Sequence, residues 1–215
     1  GLAALKTGAG KVYVCGPDFA QRPLELIGVE KSLDPFCQTA RNMDAIVAGP
    51  GLGAEADAFL SVVWELDIPL VLDADGLHWL ARTRPKQRGA PWIATPHPGE
   101  SQALLGTLPE SRFAALQARQ DRYGGQWVLK GAGTLTGPDP IYVNPFANSA
   151  LGTAGSGDVL AGILGALLAQ GCAAPERTVV WLHSKAASLL IEEGQARITA
   201  SDLIGQLGRA VDALS

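Results

Sequence analysis

Cysteine is scarce in this sequence: Cys15, Cys37 and Cys172 stand far apart and in no C-x-x-C pattern. Neither a disulfide framework nor a cysteine-based zinc site is suggested, and a reducing, cytoplasmic setting fits best. Histidine is equally sparse, and His78, His97 and His183 show no metal-ligand spacing such as H-x-x-x-H, so a histidine zinc site is unsupported too. No apolar stretch approaches the roughly 20 residues that a bilayer-spanning helix needs. The longest, from Val159 to Ala169, is broken by Gly162 and Gly165 and reads as a buried helix. Basic clusters are also missing. With 17 Lys and Arg against 21 Asp and Glu, a net charge of −4 and a pI near 5.4, nothing here would neutralise a nucleic-acid backbone. Neither nucleic acid nor a membrane is an expected partner.

What is present is glycine and proline, 26 and 14 residues spread along 215, which indicates many short elements joined by tight turns. At 22.3 kDa the chain has the length of one domain, and no repeat or linker divides it. Short apolar runs predict strands at Val12 to Val14, Ala45 to Ala48, Leu70 to Leu72, Trp92 to Ala94 and Trp127 to Leu129, with shorter ones at Leu135 and at Ile141 to Val143. Helical stretches are predicted between them, around Asp57 to Glu65 and Arg112 to Tyr123, and nearly everything from Asp158 onward reads as helix. Continuous apolar strands alternating with helices predict an α/β fold of three layers, α/β/α, with a mainly parallel sheet covered on both faces. The first residues read like the middle of a helix without an initiator Met, so the chain reads as a fragment.

In such sheets ligands bind beyond the carboxyl ends of the strands. The unusual residues fall there: Gly49-Pro50-Gly51-Leu52-Gly53, Asp73-Ala74-Asp75-Gly76, Thr95-Pro96-His97-Pro98-Gly99-Glu100 and Lys130-Gly131-Ala132-Gly133-Thr134. The strongest signal is Gly152-Thr153-Ala154-Gly155-Ser156-Gly157-Asp158, running directly into the buried helix. Glycines let backbone amides converge on a phosphate, and a helix N-terminus adds the positive end of its dipole. Gly155, Ser156 and Gly157 are therefore a candidate anion hole, and Asp158 beside them a candidate base for an attacking hydroxyl. The same aspartate could simply cap the helix. Lys130 at a strand end could meet nucleotide phosphates or ribose, although the segment lacks the Walker A order and would also suit a surface hairpin. Three glycines in five residues around Pro50 exceed what a turn requires and favour close backbone approach to a ligand. Asp73 and Asp75 could hold Mg²⁺ through water or order the active-site network, or one of them could be a helix N-cap. His97, clamped by prolines, places an imidazole at the same edge. His78 and His183 are expected to be helix residues without chemistry, and Ser156 lacks the G-x-S-x-G order of a nucleophile elbow.

Together these segments resemble one family, the ADP/ATP-dependent NAD(P)H-hydrate dehydratases, a carbohydrate-kinase-related branch of the ribokinase-like superfamily. The resemblance rests on Gly49 to Gly53, Val71 to Leu77, Thr95 to Glu100, Leu129 to Thr134 and Gly152 to Gly162, in the family's order. It implies that Gly53, His97 and Asp158 bind the hydrated nicotinamide nucleotide. It implies likewise that Lys130, Gly131, Ala132, Gly133, Thr134 and Gly157 bind the adenine nucleotide. The implied reaction is phosphorylation of the C6 hydroxyl by ADP or ATP with Mg²⁺, ADP being expected of bacterial members, followed by loss of phosphate. The resemblance also implies a homo-oligomer and an epimerase partner, fused or separate. The family carries a further strand and a glycine-rich segment upstream that this sequence does not show. A small-molecule kinase of the same fold and a non-catalytic nucleotide-binding subunit are the alternatives.

Overall fold

A computed structural model describes residues 1–16, 22–53, 56–107, 109–137, 140–146 and 149–214. Strands β3 (Ile46–Ala48), β4 (Leu70–Leu72), β5 (Trp92–Ala94) and β6 (Gln126–Leu129) run parallel in that order. Strands β7 (Leu135–Gly137) and β8 (Tyr142–Val143) extend the sheet antiparallel. Helices α3 (Ala56–Glu65), α4 (Asp75–Thr83), α5 (Pro98–Leu105) and α6 (Arg112–Tyr123) cover one face. Helices α1 (Leu2–Lys6), α7 (Ser156–Ala169), α8 (Pro175–Glu192) and α9 (Ala200–Asp212) cover the other. The predicted three-layer architecture is what the chain adopts.

The apolar runs lack alternation because both sides of the sheet are dry. Leu70 and Leu72 enter the core under α3 to α6, whereas Val71, Ile93 and Val128 point into the core under α7 to α9. The first core holds an aromatic column of Trp79, Trp64, Trp92, Trp127 and Tyr123, with successive ring centroids 5.6, 5.1, 5.6 and 6.0 Å apart. Such tilted and edge-on contacts add to the burial of large rings. Arg88 closes the far end of α3, donating to the carbonyls of Val63, Trp64, Leu66 and Ile68.

Three elements have no counterpart in the sequence reading: strand β2 (Leu26–Val29), helix α2 (Leu33–Ala40) and helix α5. Among the described residues, strand β1 (Val12–Cys15) pairs in parallel with β2 and with no strand of the larger sheet. Its edge and the edge of β3 instead line one cavity of about 390 Å³, walled by the small residues Gly162, Gly165 and Ala166 of α7 on one side and by Phe36 and Phe59 on the other. Asp158 stands in the lining of the same cavity.

Candidate active site

The turn after β3 interlocks with the turn after β4. A Cβ built on Gly49, where φ is +127°, would lie 1.7 Å from the Asp73 carbonyl oxygen, so only glycine fits. The amide of Gly53 donates to Asp75 Oδ2 at 2.9 Å across 22 residues of sequence. Asp75 thereby holds the glycine turn, the ordering role that was one of its readings from the sequence. Between the two aspartates Ala74 adopts φ +47° and ψ −119°, a conformation that L side chains disfavour.

Asp73 is buried, and its Oδ1 accepts from Lys130 Nζ at 2.9 Å. The pair lies against the first turn of α7: a Cβ built on Gly157 would be 3.3 Å from Lys130 Nζ and 3.6 Å from Asp73 Oδ2. The strand end and the glycine-rich helix start are thus one site, with an ammonium ion and a carboxylate beside a helix N-terminus. Gly155 forms the N-cap at φ +79°, and its carbonyl accepts from Val159. The amide of Ser156 donates to the Thr153 carbonyl, so it is turned away from the expected anion hole. Among the described residues, the amides of Gly155, Gly157 and Asp158 carry no such partner. The Asp158 side chain is exposed at the cavity.

The loop from Lys130 to Thr134 is fixed from outside by Arg112, at the start of α6. Its guanidinium donates to the carbonyls of Leu129, Lys130, Ala132 and Gly133. Nothing in the sequence around Arg112 signals this, because its partners lie 17 to 21 residues away.

His97 has the extended backbone expected before a proline, φ −78° and ψ 169°, and serves as N-cap of α5. Its Nδ1 accepts from the amides of Gly99 and Glu100, at 3.0 and 3.3 Å, while Glu100 Oε2 accepts from the His97 amide at 2.8 Å. Nδ1 is thereby occupied as an acceptor, and the exposed ring presents its Nε2 side, with Glu100 Oε1 3.5 Å away. His78 lies on α4 as expected. His183 lies on helix α8, also as expected, and there it is buried with Nε2 3.1 Å from Ser156 Oγ. Burial, together with the nearby Lys130 ammonium, pulls its pKa down to about 4 despite a hydrogen bond to the Ser156 backbone.

Comparison with known proteins was made against this geometry. The sequence pattern of the family described as NAD(P)H-hydrate dehydratase matches residues 1–209. The chain belongs to the NAD(P)H-hydrate dehydratase family. Within the family, it is 44% identical to the Bifunctional NAD(P)H-hydrate repair enzyme Nnr of Coxiella burnetii, over 95% of this chain and 45% of that protein. It is 41% identical to the ADP-dependent (S)-NAD(P)H-hydrate dehydratase of Neisseria meningitidis, over 97% of this chain and 76% of that one. The chain thus spans about half, or less, of the bifunctional relatives it matches. Among solved structures, the ADP/ATP-dependent NAD(P)H-hydrate dehydratase of Bacillus subtilis, co-crystallized with ATP/Mg²⁺, superposes with a TM-score of 0.82 at 28% identity, over all of this chain and 85% of that one. Hydroxyethylthiazole kinase from Pyrococcus horikoshii, at 16% identity and a TM-score of 0.64, shares the ribokinase-like fold alone.

Proposed function

We propose that this dehydratase-family chain restores hydrated NADH and NADPH to NADH and NADPH at the expense of ADP or ATP. The observation that carries the reading is the convergence of Lys130, Asp73 and Asp158 on the first turn of α7. The terminal phosphoryl group of the nucleotide docks on the amides of Gly157 and Asp158, with Gly155 adjoining, beside the Lys130 ammonium. Asp158 takes the proton of the C6 hydroxyl as its oxygen attacks phosphorus and the phosphoanhydride bond breaks, releasing AMP when ADP is the donor. The ring nitrogen then supplies the electron pair that expels phosphate, and loss of the C5 proton restores the double bond.

Gly53 and His97 face the nicotinamide nucleotide in this reading, and the loop of Lys130, Gly131, Ala132, Gly133 and Thr134 faces the adenine nucleotide. Mg²⁺ would neutralise the nucleotide phosphates. It commonly needs only one or two protein carboxylates, and Asp73, whose Oδ2 lies toward Gly157, fits that demand through water. The relatives named as bifunctional support an associated second activity, for which the epimerase implied by the resemblance is the candidate. A homo-oligomer remains part of the reading. Among the described residues no helix is long and apolar enough to cross a membrane, and the three free cysteines suit a cytoplasmic setting.

The test of activity is absorbance in the reduced-nicotinamide band when the protein, Mg²⁺ and NADH hydrate are mixed with ADP or, separately, ATP. A nucleotide-dependent rise is expected, reduced at least ~100-fold by Asp158→Asn with ADP affinity retained. Full turnover in that variant would remove Asp158 from the mechanism, and a stable phosphorylated product would mark a kinase instead.

A further inference from the structure

The proposed mechanism leaves a buried polar pair unused. Ser156 begins α7, two residues before Asp158, yet its side chain points away from the cavity and is almost fully enclosed. There its Oγ meets His183 Nε2 at 3.1 Å, and the two residues lie 27 apart in sequence. The core around them is apolar, formed by Val159, Leu160, Val179 and Leu182. Burying two polar groups is neutral at best, and their bond has a use only if it fixes something that packing does not.

The next residue on α8 makes a matching contact. Ser184 Oγ accepts from Asn144 Nδ2 at 2.7 Å, and the Asn144 amide donates to the Thr134 carbonyl at 2.9 Å. Two successive side chains of one long, buried helix therefore hold the phosphoryl turn on one side and the end of the Lys130 to Thr134 loop on the other. A hydrolytic role for the Ser156 and His183 pair fails on access, since both side chains are buried and neither lines the cavity.

We propose that His183 is a positioning residue for phosphoryl transfer: through Ser156 Oγ it fixes the angle at which the first-turn amides of α7 and Asp158 meet the phosphoryl group. The inference rests on the functional reading above for its effect on turnover, but not for its effect on the turn. The imidazole stays neutral, as its depressed pKa requires, so the anchor does not compete with the phosphate as a charge would.

The experiment is a double-mutant cycle of His183→Leu and Ser156→Ala, with His183→Gln as the conservative variant, since its amide reaches roughly as far as Nε2. In the dehydratase assay, kcat should fall about 10-fold in His183→Leu while KM for the hydrate stays within about twofold. His183→Gln should recover most of the loss. The double variant should be no worse than the poorer single one, because both remove the same bond. Unchanged kcat, equal loss in His183→Gln, or additive losses would overturn the proposal.

Calorimetric ADP binding is measured on the same proteins. If the wild type turns over no hydrate but the binding cycle is non-additive, the positioning role stands and the activity assignment falls. Additive binding effects would sink the positioning role whatever the activity. Should His183→Leu not fold, the comparison of Ser156→Ala with Ser156→Ala/His183→Gln carries the test, with independent losses overturning it.

Discussion

Lys130 Nζ and Asp73 Oδ1 are 57 residues apart in the chain and 2.9 Å apart in space, and their contact joins the ends of β4 and β6 to the start of α7. Asp73 is the more buried partner, its side chain 3% exposed against 20% for Lys130. That asymmetry decides what each substitution does. Lys130→Met strands a carboxylate in the interior, and breaking a buried pair costs about 3 kcal/mol or somewhat less here, where one partner meets solvent. It should also weaken ADP binding by roughly 10-fold as a phosphate contact is lost. Lys130→Met/Asp73→Asn should recover most of the stability and none of the affinity. Denaturant unfolding and calorimetry separate the two effects, and ADP affinity equal to wild type in either variant would contradict the assigned role of Lys130.

Ala74 is strained where it stands. Its φ of +47° with ψ −119° is available to glycine without cost, while a Cβ there carries about 1 to 3 kcal/mol of strain. Ala74→Gly should therefore stabilise the chain by up to about 1 kcal/mol after the entropic penalty of glycine, a rise of roughly 2–4 °C in Tm for a domain of this size. Thermal unfolding measures it. A lower Tm would mean that the turn holds its shape for reasons other than the constraint on Asp73 and Asp75.

His183 makes the acid limb of stability specific. Its pKa, near 6.5 in the unfolded chain and about 4 when folded, means that between those values the unfolded state binds more protons. Stability should be complete above about pH 6.5, fall as pH drops through the window and level off below about 4. The loss amounts to roughly 3 kcal/mol at about 1.4 kcal/mol per pH unit. His183→Gln should flatten this component. Denaturant titrations at neutral pH, in the middle of the window and at its lower end check it, and parallel curves for the two proteins would show that His183 protonates as easily folded as unfolded.

Local signals carried the reading of the sequence a long way. The apolar runs at Leu70–Leu72 and Trp92–Ala94 became β4 and β5, and the segment Arg112–Tyr123 matches α6 at both ends, where Ser111 and Gly124 cap it. Strand β2 escaped because Leu26–Val29 contains a glycine and is half exposed, so neither composition nor period marks it. In the site, Gly49, Gly53, Asp73, His97, Lys130 and Asp158 were legible as glycine, charge or imidazole at strand ends. Arg112 and His183 were not, since their bonds to the Leu129–Gly133 backbone and to Ser156 depend on how α6 and α8 pack. The partner of Asp75 was not legible for the same reason: a carboxylate at a helix start looks alike whether it caps, binds a cation or ties down Gly53.

The aromatic column gives the molecule a built-in optical bias. Four of its five tryptophans, Trp64, Trp79, Trp92 and Trp127, stack within one side of the sheet, and only Trp181, on α8, reports from the other. Excitation absorbed by one indole of the column can migrate to its neighbours before emission. Native fluorescence is therefore the property of a shared antenna, depolarised and insensitive to which ring absorbed the light. Dissolution of the core beneath α3 to α6 would separate the rings and end that transfer.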